Sequence, residues 1–291
     1  MQTLESPALV SRRRIIIDKL MSALIVVAVG LAVTSLLLIL ADTLIQGVPV
    51  MSLSFLTNTP VPVGFPGGGI GPDIEGTVVL VGIAALISVP VGVGAGIFFS
   101  EWPESRLSAL SSFSNDVLAE FPSIVIGIFV YAVIVLTTGK FSAVAGGVAL
   151  SIIMIPIVAR TTEESLKLVP RTLREASMAL GVSRWKTVVR VVMSTGKSGL
   201  LTGILLAIAR AAGETAPLVL TVGFSNSFMT TPFNPVGSLP YLIYYYGISA
   251  YSSWHAIAWG AALILIVVML VLNLSVKLLV GGKFEGTRAE I

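Results

Sequence analysis

The sequence contains no cysteine and a single histidine. Without cysteine there is no disulfide framework, no thiolate metal site and no thiol nucleophile. His255 has no second imidazole near it in the chain, so no metal centre and no catalytic residue are expected. Charge is scarce as well. Asp, Glu, Lys and Arg together make 11% of 291 residues, against about 25% in a soluble domain. In their place 55% of residues are hydrophobic, and mean hydropathy is +0.97. This balance excludes an ordinary soluble domain and describes an all-α integral membrane protein. The net charge of +3 is small and clustered, and no nucleic-acid partner is expected.

A helix needs about 20 mostly apolar residues to cross a bilayer. Six windows qualify: Leu20–Ala41, Gly76–Phe99, Val117–Leu136, Ser142–Ala159, Gly199–Val222 and Trp254–Val280. The first is too long for the apolar core of a signal peptide and reads as a retained helix. The expected organisation is one transmembrane domain over residues 20–280, with short polar tails at 1–19 and 281–291. Lys and Arg set its orientation. Arg12, Arg13, Arg14 and Lys19 precede the first window, the loop Asp42–Glu75 has no basic residue, and Arg160–Lys197 holds eight. Phe224–Ser253 again has none, and Lys277, Lys283 and Arg288 close the chain. The alternation places both termini in the cytoplasm, with Lys140 its one dissent.

The loops without basic residues differ in kind. "NTPVPVGFPGGGIGP" (58–72) is a coil punctuated by Pro and Gly; its GGGIG has the composition of an anion-binding nest, but the absence of a following basic residue counts against that role. "SLPYLIYYYGISAYSSW" is rich in tyrosine and suits a helix at the membrane–water boundary or a surface for an external partner.

The only substantial polar block is Arg160–Lys197. Within it "PRTLREASMALGVSRWKTVVRVVM" reads as two short helices. Thr172 and Glu175 have capping-box spacing, Gly181 suits a left-handed helix end, and Ser183 can cap the second helix. There Trp185, Val188, Val189 and Val192 form an apolar stripe. Such a pair can lie on anionic lipid or dock on a protein. "TGKS" (195–198) imitates the end of a P-loop, but the first glycine is missing and a helix precedes it.

"EASMALG" (175–181) resembles the EAA motif of ABC importer permeases. By that resemblance Glu175, Ala176, Ser177, Gly181 and Trp185 belong to a coupling segment that docks on a cytoplasmic ATPase. The Leu-Pro that closes the motif in the family is absent, since Met193 precedes Ser194. Further stretches, "GGIGPDIEGTVVLVGIAALISVPVGVGAGIFFSE", "LAEFPSIVIGIFVYAVIVL", "IPIVARTTEESLKLVP" and "ARAAGETAPL", resemble the PstA-type permease subunits of phosphate ABC importers. The likeness runs from about Gly67 to Ser275, and Ala212 with Ala216-Pro217 favours this type over the sister PstC type. Glu120-Phe121 departs from the family pattern. The resemblance implies a type I ABC importer permease fold in a bacterial or archaeal plasma membrane. It also implies a PstC-like second permease, two copies of a PstB-like ATPase and an external PstS-like phosphate-binding protein. ATP and magnesium would sit on the ATPase, leaving this chain without a cofactor. Another oxyanion importer and a secondary anion transporter are the alternatives; the latter would usually show an internal repeat.

The fifth window holds two charges, Arg210 and Glu214. A charge at the centre of a spanning helix costs about 2.5–3.5 kcal/mol on insertion scales. Four apart, the two side chains share a helix face and can neutralise one another, although Arg before Glu is the poorer order. Gly213 and Pro217 loosen the helix beside them, and freed backbone at membrane depth is tolerated where it lines a cavity. The second reading follows: Arg210 contacts an anion in transit and Glu214 orients it, with Thr215 and Ser123 as hydroxyl donors. Arginine suits this role because its planar fork stays charged.

Topology is checked by single-cysteine labelling, which this cysteine-free chain allows without background. A membrane-impermeant thiol reagent applied to intact cells is expected to label Thr57→Cys and spare Ser183→Cys. The opposite pattern inverts the orientation.

Overall fold

A computed structural model describes residues 12–65 and 67–281, with side chains described for 14–65 and 67–275. Among the described residues all regular structure is helical. The polar tails expected at 1–19 and 281–291 fall mostly outside that range, although α1 already begins at Arg12 (Arg12–Gly47). There follow α2 (Leu53–Thr57), α3 (Gly71–Glu101), α4 (Arg106–Glu120) and α5 (Ser123–Thr138). Next come α6 (Ala143–Lys167), α7 (Arg171–Ala179), α8 (Arg184–Ala212) and α9 (Ala216–Val219). The last two are α10 (Leu239–Gly247) and α11 (Ser252–Gly281). Five helices (α1, α3, α6, α8 and α11) are long and apolar enough to cross a membrane, and the α4–α5 pair makes a sixth crossing if counted as one bent span.

The helix ends follow local chemistry. Ser142 caps α6 by accepting a hydrogen bond from the Ala145 amide at 3.1 Å. Pro72 occupies the first turn of α3, where a missing N–H costs nothing. Gly139, at φ 71°, turns the chain out of α5. Two expectations fail at this level. The capping box does not form, because Pro170 is the N-cap of α7 and Thr172 already lies inside the helix. Ser183 occupies the N-cap position of α8 but makes no capping hydrogen bond.

The core is built around α6, whose most apolar stretch is 67% buried, whereas that of α1 is wholly exposed. Apolar side chains gain nothing by leaving lipid for protein, so close approach of backbones has to supply the attraction. Glycine permits it. A Cβ on Gly92 of α3 would sit 2.7 Å from Cβ of Val158 and 3.0 Å from the Ile155 carbonyl, and one on Gly96 would collide with the Ala159 carbonyl. From the other side, Gly203 and Gly199 of α8 press on Thr161 and Ser165 of α6. Leu80, Ala84, Leu150, Met154, Val158, Ala207 and Leu218 fill the seam among α3, α6, α8 and α9.

A second core forms at the α10 end of the bundle, where Phe55, Ile70, Leu242 and Tyr246 pack together. Tyr246 stacks on Trp254 with ring centroids 4.4 Å apart. Burial pushes its phenol up to about 12, so it packs as a neutral ring. Two polar ties fix this lobe to α3: the Met229 amide donates to Glu75 at 2.9 Å and the Leu239 amide to Thr77 at 2.9 Å.

Gly92→Val is expected to cost about 1–3 kcal/mol through overpacking and to lower the melting temperature of the detergent-purified protein. Gly82→Ala on the same helix meets no atom within 4 Å and should melt like the parent. Equal melting of the two variants removes the close-packing account.

Candidate functional site

Two interruptions of apolar helix meet around Arg210. The first lies in the window expected to run unbroken over Val117–Leu136. The chain instead bends by 101° between α4 and α5. Pro122 accounts for the break: it disfavours α conformation in the residue before it, and Phe121 is extended at φ −65°, ψ 133°. A new helix then starts at Ser123, and its first amides have no partner in the preceding turn.

The second interruption ends α8. The window Gly199–Val222 was expected to be one helix loosened near Gly213. In fact α8 stops at Ala212, Gly213 forms its C-cap, and α9 starts afresh at Ala216 with Pro217 in its first turn. Proline is tolerated there because that amide has no helical partner anyway. Pro217 in turn packs on Gly127 of α5, where an added Cβ would meet its Cα at 2.8 Å. The two broken segments therefore brace one another.

Arg210 occupies the last turn of α8, where the partial negative charge of a helix C-terminus favours a cation. Its Nη2 lies 3.7 Å from Oε1 of Glu214, an ion pair too long for a hydrogen bond. The arginine side chain is 62% exposed and the glutamate 17%. The pair thus brings opposite charges together without using up the arginine's donors. Arg210 opens onto a cavity of about 360 Å³ lined also by Glu120, Pro122, Ser123, Ile126, Ile153 and Ile157. Arg210 and Ser123, 87 positions apart in the sequence, thus share one cavity. Thr215 does not join them. It is the N-cap residue of α9 and its hydroxyl makes no cap. Glu120 was unassigned by sequence reasoning; it stands beside Ser123 because the bend turns the end of α4 to the cavity wall. The signal for the whole corner was Pro122, masked by the apolar residues around it.

The cavity offers a guanidinium from α8, and at the α4–α5 bend a hydroxyl, the start of a helix and the carboxylate of Glu120. Donors of this kind suit a small oxyanion.

The second charged region lies at the other end of α6. Gly181 has φ 80°, a left-handed turn that lets α7 fold back on the start of α8. Ser177 Oγ and Thr187 Oγ1 join the two helices at 2.9 Å. Glu175 and Ala176 are exposed on α7. The expected apolar stripe splits: Val188 and Val192 are buried, while Trp185 is 62% exposed and Val189 also faces out. Trp185 and Val189 lie four apart on one face and Val188 and Val192 on another, and a π turn spans Val188–Val192. Met178, Leu180 and Trp185 are exposed apolar side chains on α7, the turn after it and the start of α8, and Arg171 and Lys186 are exposed on the same helices. "TGKS" lies inside α8, without the loop that a phosphate cradle requires.

Residues 88–282 match the family model described as binding-protein-dependent transport system inner membrane component. The phosphate transport system permease protein PstA of Yersinia pestis is 41% identical over 250 residues, covering 85% of this chain and 84% of that protein. The probable PstA of Methanocaldococcus jannaschii is 37% identical, covering 91% and 94%. Among solved structures, an inward-facing MetNI methionine ABC transporter superposes with a TM-score of 0.62 at 17% identity, covering 72% of this chain and 94% of its own. That likeness concerns the fold, a type I ABC importer permease. Matched over most of its length, the chain belongs to the binding-protein-dependent transport system inner membrane components, within their PstA-type permeases.

Proposed function

We propose that this chain is one of two membrane subunits of an ATP-driven importer of inorganic phosphate. The observation that carries the reading is the state of Arg210: charged, 62% exposed, and only loosely paired at 3.7 Å while opening on a cavity at the helix breaks. At that separation Glu214 does not take up the guanidinium donors, which remain available to a ligand. Phosphate carries one to two negative charges at neutral pH. An arginine fork with a hydroxyl and helix-start amides supplies donors to several of its oxygens at once. Glu214 on one side and Glu120 on the other keep the site from binding so tightly that the ion stays. The names of the similar PstA proteins favour phosphate over other tetrahedral oxyanions.

Around this subunit the same reading places a PstC-like second permease, two copies of a PstB-like ATPase and an external PstS-like binding protein. The chain sits in the plasma membrane with both termini cytoplasmic, and ATP with magnesium is held by the ATPase. The exposed apolar side chains Leu180 and Trp185 lie in and beside the segment that resembles the EAA motif, which supports docking on that ATPase over lying on lipid.

Arg210→Gln is expected to insert and assemble yet lower phosphate uptake by about 10- to 100-fold, the loss of hydrogen bonds to a charged group. Arg210→Lys should rescue poorly, since an ammonium lacks the fork. Uptake near the parent level in the double variant Arg210→Gln, Glu214→Gln means the pair is structural and the pathway lies elsewhere.

Docking has its own test. Gly181→Val forces a β-branched side chain into a left-handed turn, and Trp185→Ala removes an exposed anchor. Both are expected to weaken co-purification of the ATPase while the permease still inserts. Unchanged co-purification and substrate-stimulated ATP hydrolysis in both places the ATPase contact elsewhere.

A further inference from the structure

Arg174 stands next to Glu175 on α7 yet points away from the exposed docking face. Its Nε and Nη2 donate to Oε1 of Glu101 at 3.1 and 2.9 Å. The remaining donors reach the end of α6: Nη1 to the Val169 carbonyl at 2.5 Å and Nη2 to the Leu166 carbonyl at 2.8 Å. Glu101 is the last residue of α3. One guanidinium therefore ties α7 to the ends of both α3 and α6. The last carbonyls of a helix lack intrahelical partners, and a cation there is favoured by the helix dipole. Both side chains are shielded, Arg174 at 16% exposure and Glu101 at 6%. Arg184, at the start of α8, adds a hydrogen bond to the Glu101 carbonyl and lies over the Trp102 ring at 4.7 Å.

We propose that Glu101 and Arg174 form the clamp through which movement of the coupling helix α7 is transmitted to α3 and α6, and so to the wall of the Arg210 cavity. The proposal rests on the reading of this chain as an ATP-coupled permease. The chain joins α7 to α6 through residues 168–170 and to α8 through the Gly181 turn, after which α8 carries the π turn at Val188–Val192. The clamp adds a direct tie from α7 to α3, to which the chain gives it no short covalent link. Charge-assisted bonds from a planar fork hold their geometry, and α3 and α6 are locked along Gly92 and Gly96 against Val158, Ala159 and Thr162. Farther along the same α6, Ile153 and Ile157 line the cavity beside Arg210 and Ser123. A shift or tilt of α6 relative to the α4–α5 corner changes the width of that cavity. Contiguous packed elements that move as one body are the physical means by which distant sites couple.

Glu101 and Arg174 are thus positioning residues, and the readout is phosphate imported per ATP hydrolysed. The ratio is measured in proteoliposomes holding the whole complex with its binding protein. Because it is taken per turnover, it does not depend on how much complex survives substitution. Glu101→Gln keeps the shape and loses the charge. Arg174→Lys keeps the charge but loses the fork that reaches both helices. Each is expected to lower the ratio about tenfold, as loss of charge-assisted hydrogen bonds implies, with ATP hydrolysis continuing. Glu104→Gln, exposed three residues along, should leave it unchanged. A parental ratio in both clamp variants, even with less complex recovered, shows that the clamp only stabilises the fold and overturns the proposal. A parent complex that hydrolyses ATP without moving phosphate overturns the reading of function instead, and the proposal with it.

Discussion

Helices in lipid have no water to expel from between them, so they adhere by approaching closely enough for dispersion and weak polar contacts to add up. Every larger feature of this protein depends on that constraint being met along α6. Glycines on α3 meet it from one side and glycines on α8 from the other, each at a point where a Cβ would collide with the facing helix. The result is a three-helix block that is rigid where it is packed. The remaining helices can then be short, bent or exposed without loss of the fold. Helix α1 shows the contrast, touching the bundle near one end, where Gly47 meets Trp259 and Leu263.

The rigid block makes the broken helices affordable. A helix end at membrane depth leaves amides or carbonyls unpaired, and nothing in hydrocarbon can satisfy them. Here the break at Pro122 and the break at Gly213 come together, with Pro217 of one lodged against Gly127 of the other. Between them they hold an arginine at a helix C-terminus and a hydroxyl at a helix start. Their polarity is collected in one cavity instead of being spread along two lipid-facing surfaces. Placing the site beside α6 also puts its wall on the helix that runs to the charged end of the molecule.

At that end the logic is electrostatic. Glu163 of α6 pairs with Arg160 at 2.9 Å and Lys167 at 2.6 Å, and Glu101 with Arg174 at 2.9 Å. In the first set the basic partners are about half exposed while Glu163 is buried, and all three side chains belong to one helix. The second joins separate helices and is shielded. Similar residue types therefore serve different ends, decided by burial and by what the arginine's other donors reach.

The apolar windows alone locate the crossings, because length and hydropathy are local properties and the bilayer imposes a fixed span. Gly181 was legible for the same reason: a left-handed turn is a demand on one residue. Arg210 and Glu214 were recognisable as costly and hence as candidates for function. The failures all involve choices among local options that neighbours settle. Phe121-Pro122 sat in an apolar run that masked its turn signal. Thr172 had the spacing of a cap but Pro170 took the helix start. The apolar stripe divided between a buried face, Val188 and Val192, and an exposed one, Trp185 and Val189. The clamp lay beyond reach altogether, since Glu101 and Arg174 are 73 positions apart and nothing near either names the other. The sequence by itself determined a multi-spanning helical protein with a polar two-helix segment and a charged span, because those follow from patterns within one or two turns. Only the tertiary structure decided which helix is central, that Ser123 and Glu120 share a cavity with Arg210, and that α7 is bolted to α3, because each of these depends on contact between segments that the chain keeps far apart.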